Sequence, residues 1–314
     1  MEKTDRQRLS KKQKIILVIL IAVALNVICF CFAFPETFKP ENATYARDFS
    51  AYYIGEWRLF HNPTEIYAGG PQPGDYQILP HPQTFKYAPS FLILSAPFLS
   101  LSYQNALTAF DIIQVALMPA LAYFVYKIIK DKNTVLAAVA AVIVLIDPLP
   151  SPMINSAAVV SLNIGSFAPS YFLGYALANA HVLQTVLLVG ALYFGFAKKP
   201  LLSALMFTFG AFDPRVALLA LPLLLWYNRQ KIIQFSAATA TFLLATNLPF
   251  FFYYGIGMAF LRTEVNGNIV SQMYQYDWIP LYAVAALTIV EIVTFIYGKR
   301  KKPSEFSGVT GSLG

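Results

Sequence analysis

The sequence predicts an all-α, polytopic integral membrane protein with about eight or nine membrane segments. Two observations carry this. First, of 314 residues 57% are hydrophobic and only 12% charged, against roughly 25% charged in a soluble domain. One soluble core cannot hide that much apolar surface. Second, apolar runs of crossing length alternate with short polar stretches, and basic residues gather at the ends of the chain. Six Lys and Arg lie between Lys3 and Lys14, and four between Lys299 and Lys302. Basic flanks of membrane helices stay cytoplasmic, so both termini are expected on that side. Topology accounts for these clusters, and no nucleic-acid partner is expected.

Taken in order, residues 1–13 form a polar cytoplasmic tail, and residues 14–298 form a single transmembrane domain. Ile15 to Phe34 is long enough at helical rise to span a ~30 Å hydrocarbon core. It lacks a clear small-residue cleavage site and reads as a retained helix that doubles as the export signal. The loop 35–88 is too polar and too rich in Pro and Gly to lie in lipid, and is expected on the outer face. Within it Phe49, Tyr52, Tyr53, Trp57 and Phe60 recur near helical spacing, with Glu56 and Arg58 elsewhere on the wheel. That pattern predicts a short helix over Phe49 to Phe60 lying in the headgroup layer. Asn62-Pro63 ends it, and Gly69-Gly70-Pro71 and Pro73-Gly74 mark turns.

Residues 88–102 are apolar but short. They either cross by a tilted path or form a re-entrant pair with the next apolar segment. Ala106 to Ile129 is a full span, and Lys127, Lys130 and Lys132 place its end inside, which favours re-entry. Thr134 to Ile146 crosses outward to Asp147-Pro148. Residues 148–179 read as a second outer loop or a weakly apolar crossing. Val182 to Ala197 returns to Lys198-Lys199. Then come two half-length segments, 200–212 and 214–227, joined at Asp213-Pro214-Arg215. Ile232 to Tyr254 goes out, 255–278 is a third outer loop, and Ile279 to Tyr297 returns to a basic end. Residues 299–314 are a cytoplasmic tail, Ser/Gly-rich from Pro303 and expected to be disordered.

Chemistry is sought in the outer loops. Asp48 lies past the opening helix, beside Arg47, where a lipid headgroup would sit. A carboxylate there can take a proton from a sugar hydroxyl as that oxygen attacks an activated carbon; a solvated Asp or a helix N-cap explains the same residue structurally. Lys86 and Tyr87, in F-K-Y-A-P, are candidates to hold a phosphate, or to anchor the interface by snorkelling. Arg262 and Asn266 form a second outer candidate for phosphate or sugar. Asp213 and Arg215 straddle Pro214 in an apolar setting, where charges pair or face a cavity. His181 opens a helix near the outer face. Asp111 and Glu291 are isolated in apolar helices and are expected to make helix-packing contacts. The two cysteines, Cys29 and Cys31, share the first apolar segment and provide no disulfide or metal framework; no histidine has metal-ligand spacing. The chain lacks a Gly-rich phosphate loop and a G-x-S-x-G turn. A transferase built this way draws its donor from the lipid. Asn42-Ala43-Thr44 is a glycosylation sequon on the expected outer face.

The stretches R-D-F-S-A-Y-Y (Arg47 to Tyr53), P-T-E-I-Y (Pro63 to Tyr67) and F-K-Y-A-P-S-F (Phe85 to Phe91), with N-A-H-V-L-Q (Asn179 to Gln184) and the half-helix pair ending F-D-P-R (Phe212 to Arg215), resemble glycosyltransferase family 87. The resemblance covers roughly residues 15–230. It implies a GT-C-type fold and inverting transfer of a hexose, typically mannose, from a polyprenyl-phosphate donor to a lipid or glycan acceptor. No ligand cluster in the sequence calls for a metal and no cofactor is expected besides the donor substrate; the partners the resemblance implies are the donor, the acceptor and membrane lipids. Asp48 takes the role of base, and Arg47, Tyr52, Lys86, Tyr87, His181, Arg215, Arg262 and Asn266 are the substrate-binding candidates. Ala88 stands where the family has Pro, and Asp213 where it has Lys. The alternative is a non-catalytic membrane protein, such as a lipid carrier, an assembly subunit or a shortened inactive homologue.

Overall fold

The computed structural model describes residues 10–33, 47–68, 71–79, 82–146, 180–253 and 255–263. The expectations for both tails, the sequon, the loop 148–179, Asn266, Glu291 and the last helix lie outside the described residues. Among the described residues every regular element is helical. In chain order the α-helices are α1 (Lys11–Ala33), α2 (Arg47–His61), α3 (Ser90–Ser95), α4 (Tyr103–Ile129), α5 (Thr134–Ile146), α6 (His181–Phe196), α7 (Pro200–Gly210), α8 (Pro214–Tyr227), α9 (Ile232–Tyr253) and α10 (Ile256–Thr263). Among the described residues, two helical stretches are long and apolar enough to cross a membrane, Tyr103–Ile129 and Arg229–Phe252. The outward positions of α1, α4, α5 and α9 carry exposed Leu, Ile, Val and Phe, among them Leu20, Ile112, Leu136 and Phe252. Water leaves such a surface unsatisfied and lipid does not, which supports membrane association.

Local chemistry starts and stops these helices. Ser10 and Gln13 exchange side-chain to backbone bonds (2.8 and 3.3 Å), a capping box at the start of α1. Asn133 Oδ1 accepts from the amides of Val135 and Leu136 and opens α5. Pro200 and Pro214 occupy first-turn positions of α7 and α8, where a missing N–H costs nothing. α6 ends in a Schellman turn: Lys198 N donates to Gly195 O (3.0 Å) and Lys199 N to Phe194 O (2.8 Å). The residue at its left-handed position is Lys198, with φ +58°. Glycine is usual there, because a side chain costs roughly 1–2 kcal/mol.

Three clusters hold the bundle. At one end α2, the segment 82–89, α3, the start of α4, the α7–α8 turn and α10 gather Phe49, Tyr52, Phe85, Phe91, Phe110, Phe212 and Phe260. In the middle, α1, α4, α5 and α6 meet around Ala22, Leu121, Leu145 and Val186. At the far side α6, α7, α8 and α9 pack Ala191, Ala204, Leu224 and Phe235. Residues 88–102 do not cross the bundle. They form α3 and a 3₁₀ turn, Ala96–Ser100, together spanning less than ~20 Å at helical rise. The half-length pair expected over 200–227 is present as α7 and α8.

Two expectations for α2 are corrected. Its aromatic stripe does not all face the headgroup layer: Phe49 and Tyr52 are buried inside the protein, whereas Phe60 is 67% exposed. Nor are Glu56 and Arg58 solvated; each is only 1% exposed. Burial is possible because each finds a distant partner. The Arg58 guanidinium forks onto the Asp75 carboxylate, with Nε–Oδ1 at 3.1 Å, and its Nη1 donates to Glu65 O at 2.7 Å. Asp111 is fully buried in α4, and among the described residues neither carboxylate oxygen has a hydrogen-bond partner; the Gln114 amide, one turn on, is likewise without one.

Candidate functional site

Asp48 lies in the first turn of α2, partly exposed. Tyr52 is four residues on, on the same helix face, and is almost fully buried. Its hydroxyl accepts from the Ala180 amide (3.1 Å) and donates to the Tyr87 hydroxyl (3.3 Å). The Tyr87 backbone carbonyl in turn accepts from Tyr67 Oη at 2.6 Å. The next residue, Ala88, donates its amide to Phe212 O in the α7–α8 turn (2.8 Å). Across that turn Gln184 Nε2 of α6 donates to the carbonyls of Gly210 (2.9 Å) and Asp213 (3.1 Å). The circuit closes, because Gln184 and Ala180 belong to the same helix start. Ser90 N donates to Asn247 Oδ1 (3.2 Å), tying α9 to the same floor.

Aromatic rings fill the spaces between these bonds. Tyr52 meets Tyr87 edge-on at 5.0 Å and Phe91 at 4.8 Å, and Phe91 packs on Phe212 at 4.5 Å. Tyr67 joins Phe260 of α10 at 5.5 Å. Burial, then Tyr87, then the negative charge of Asp48 hold the Tyr52 hydroxyl well above the ordinary tyrosine range. Tyr52 therefore keeps its proton and donates a hydrogen bond. Asp48 lies partly exposed at the edge of this floor, one helical turn before Tyr52.

The predicted residues sort by location. Tyr52 and Tyr87 touch, with Asp48 one turn away. His181 comes directly after Ala180, and Arg215 lies two residues beyond Asp213, so the backbone brings both helix starts to this end. Lys86 is exposed beside Tyr87, and Arg262 is exposed on α10, two residues beyond Phe260. Arg47 is the first residue of α2. Elsewhere among the described residues, a half-open cavity of about 260 Å³ lies around Lys132, Lys198 and Arg229, and a shallow depression of about 300 Å³ lies on α9 around Leu248 and Phe252. No group of three or more His, Cys, Asp or Glu comes together among the described residues.

Sequence reasoning missed Gln184, Ser95 and the buried role of Glu56. The Ser95 hydroxyl reaches both Glu56 and Phe91 O (3.0 Å), and Glu56 Oε2 is buried without a partner. Burial raises the Glu56 carboxyl to about 8, against a smaller lowering by Ser95. A neutral Glu56 fits the donor count, since its own O–H satisfies Ser95 Oγ and frees the single Ser95 hydrogen for Phe91. Glu56 and Ser95 are 39 residues apart, and no local pattern couples them. Gln184 had a visible signal, as the one amide side chain in the apolar run Val182 to Phe196. Comparison with protein-family models, curated proteins and solved structures gave no match for this chain.

Proposed function

We propose that this chain is a membrane glycosyltransferase of the family 87 type, moving a hexose from a polyprenyl-phosphate donor to a lipid or glycan acceptor at the outer face. One observation carries the reading. Four of the short stretches behind the resemblance meet in a single hydrogen-bonded circuit through Tyr52, Tyr87–Ala88, Ala180–Gln184 and Phe212–Asp213. One bond of that circuit, Ala180 to Tyr52, joins positions 128 residues apart.

In this reading Asp48 accepts the proton of the acceptor hydroxyl. That oxygen bonds to the anomeric carbon as the bond from carbon to phosphate oxygen breaks, with inversion, and polyprenyl phosphate leaves. Lys86, Arg215 and Arg262 are the candidates to offset the charge on the leaving phosphate. Arg47, His181 and Asn266 complete the proposed substrate contacts.

The test is transfer of mannose from a polyprenyl-phosphate donor by the purified chain and by Asp48→Asn. The variant is expected to lose on the order of 10²–10⁴ in turnover with its thermal stability kept. Undiminished turnover removes Asp48 from the mechanism. A second reading, a non-catalytic lipid carrier or assembly subunit, draws on the cavities around Lys198 and Phe252 lying away from Asp48. It expects donor binding without transfer by the unaltered chain.

A further inference from the structure

At the opposite end of the bundle from Tyr52, three helices stop around one cavity. α4 ends at Ile129, α6 at Phe196 and α8 at Tyr227. The cavity, about 260 Å³, is walled by Ile128, Phe196 and Trp226 on its apolar side and by Lys132, Lys198 and Arg229 on its basic side. The chain from Lys127 to Lys132 and the turns Lys198–Lys199 and Arg229–Lys231 hold seven Lys and Arg against one acid, Asp131. The three converging C-terminal helix ends attract cations and account for part of this charge. They do not account for the shape of the site.

Three features show construction. Lys198 occupies a left-handed backbone position, φ +58°, where glycine would remove the strain, and the residue is part of the cavity lining. A strained residue kept in this way points to a role for its side chain. The Arg229 guanidinium is held over the Trp226 ring at 4.1 Å, which fixes the direction of the charge. Behind the wall, buried Asn228 Nδ2 donates to Ser203 Oγ (3.0 Å) and to Leu224 O (2.9 Å), and Ser203 Oγ donates to Ala191 O (2.8 Å). This buried chain ties α6, α7 and α8 together beneath the turns that carry Lys198 and Arg229.

We propose that this cavity binds the phosphate headgroup of an anionic membrane phospholipid, with Lys198, Lys132 and Arg229 on the phosphate and Trp226, Phe196 and Ile128 along the glycerol and upper acyl chain. The cavity is smaller than the pocket of a whole drug-sized ligand, which suits a headgroup whose chains remain in the bilayer. Basic pockets between membrane helices have this chemistry. The inference rests on the membrane reading of the bundle and is independent of glycosyl transfer.

The full chain, purified in a neutral detergent, is titrated with phosphatidylglycerol, phosphatidylcholine or inorganic phosphate while thermal unfolding is monitored. Saturating phosphatidylglycerol is expected to raise Tm on the order of 5 °C; phosphatidylcholine and inorganic phosphate are expected to raise it by far less. Lys198→Gly relieves the turn and is expected to unfold no lower than the parent without lipid, yet to lose most of the lipid shift. Lys199→Gln removes the same charge one residue away, outside the cavity wall, and is expected to keep the shift. Equal shifts from the two phospholipids, a shift reproduced by inorganic phosphate, or equal loss in the two variants overturns the proposal.

Discussion

Glu56 shows how much a single side chain changes when its surroundings are known. Its ordinary value of 4.5 is raised by burial to about 8, and one carboxyl oxygen has no partner. Below pH 4.5 both the folded and the unfolded chain hold the proton, and the group does not affect the pH dependence. Between 4.5 and about 8 the unfolded chain releases a proton that the folded chain keeps, so stability falls as pH rises, by up to about 1.4 kcal/mol per pH unit. Above about 8 the slope vanishes. Glu56→Gln keeps a donor for Ser95 Oγ, as the neutral carboxyl does, and cannot ionise. It is expected to flatten the decline of Tm between pH 5 and 8 and to be the more stable chain at pH 8. Parallel Tm curves for parent and variant would show that Glu56 is not held neutral.

At the scale of elements, α2 is the piece on which the site depends. It is buried on two opposite sides, one carrying Phe49, Tyr52 and Glu56 and the other Ile54 and Arg58. The Arg58–Asp75 pair fastens its C-terminal half to the loop before Leu79, and Gly55 lets it sit against Phe85. A Cβ on Gly55 would lie 2.6 Å from Phe85 Cδ2, and Phe85 is fully buried. Gly55→Ala must therefore displace either the helix or the segment that positions Tyr87. A loss of about 1–3 kcal/mol is expected, read as a lower Tm in detergent, although alanine is the better helix former. A stability gain in this variant would mean that α2 does not rest on Phe85. The aromatic spacing and the Asn62-Pro63 stop made this helix legible in the sequence. Which of its faces turned inward was not, because the partners of its polar residues come from Asp75, Ser95 and Glu65.

At the scale of the whole molecule, the aromatic floor and the basic cavity occupy opposite ends of one helical bundle. In the membrane reading, the first faces outward and the second faces the cytoplasm, as the basic residues between helices imply. A chain with Cys29→Ala and Cys31→Ala, carrying either Phe60→Cys or Lys199→Cys, tests this in sealed cells with a membrane-impermeant maleimide. Both positions are exposed. Phe60→Cys is expected to label in intact cells, and Lys199→Cys only after the membrane is opened. Labelling of both in intact cells would reverse or remove the proposed orientation.

Composition and periodicity by themselves determined that the chain is helical and where most described helices begin and end, including the break at Asp213-Pro214. These are local properties: apolar run length, a proline at the first turn, an asparagine cap. Only the tertiary structure decided that Tyr52, Tyr87, Ala180 and Phe212 share one hydrogen-bonded floor, that Glu56 and Arg58 are dry, and that Lys198 lines a cavity in a strained turn. Each of those depends on which distant backbone amide or side chain arrives at contact distance. A buried polar group survives only if such a partner comes, and the spacing of residues along the chain does not record which one does.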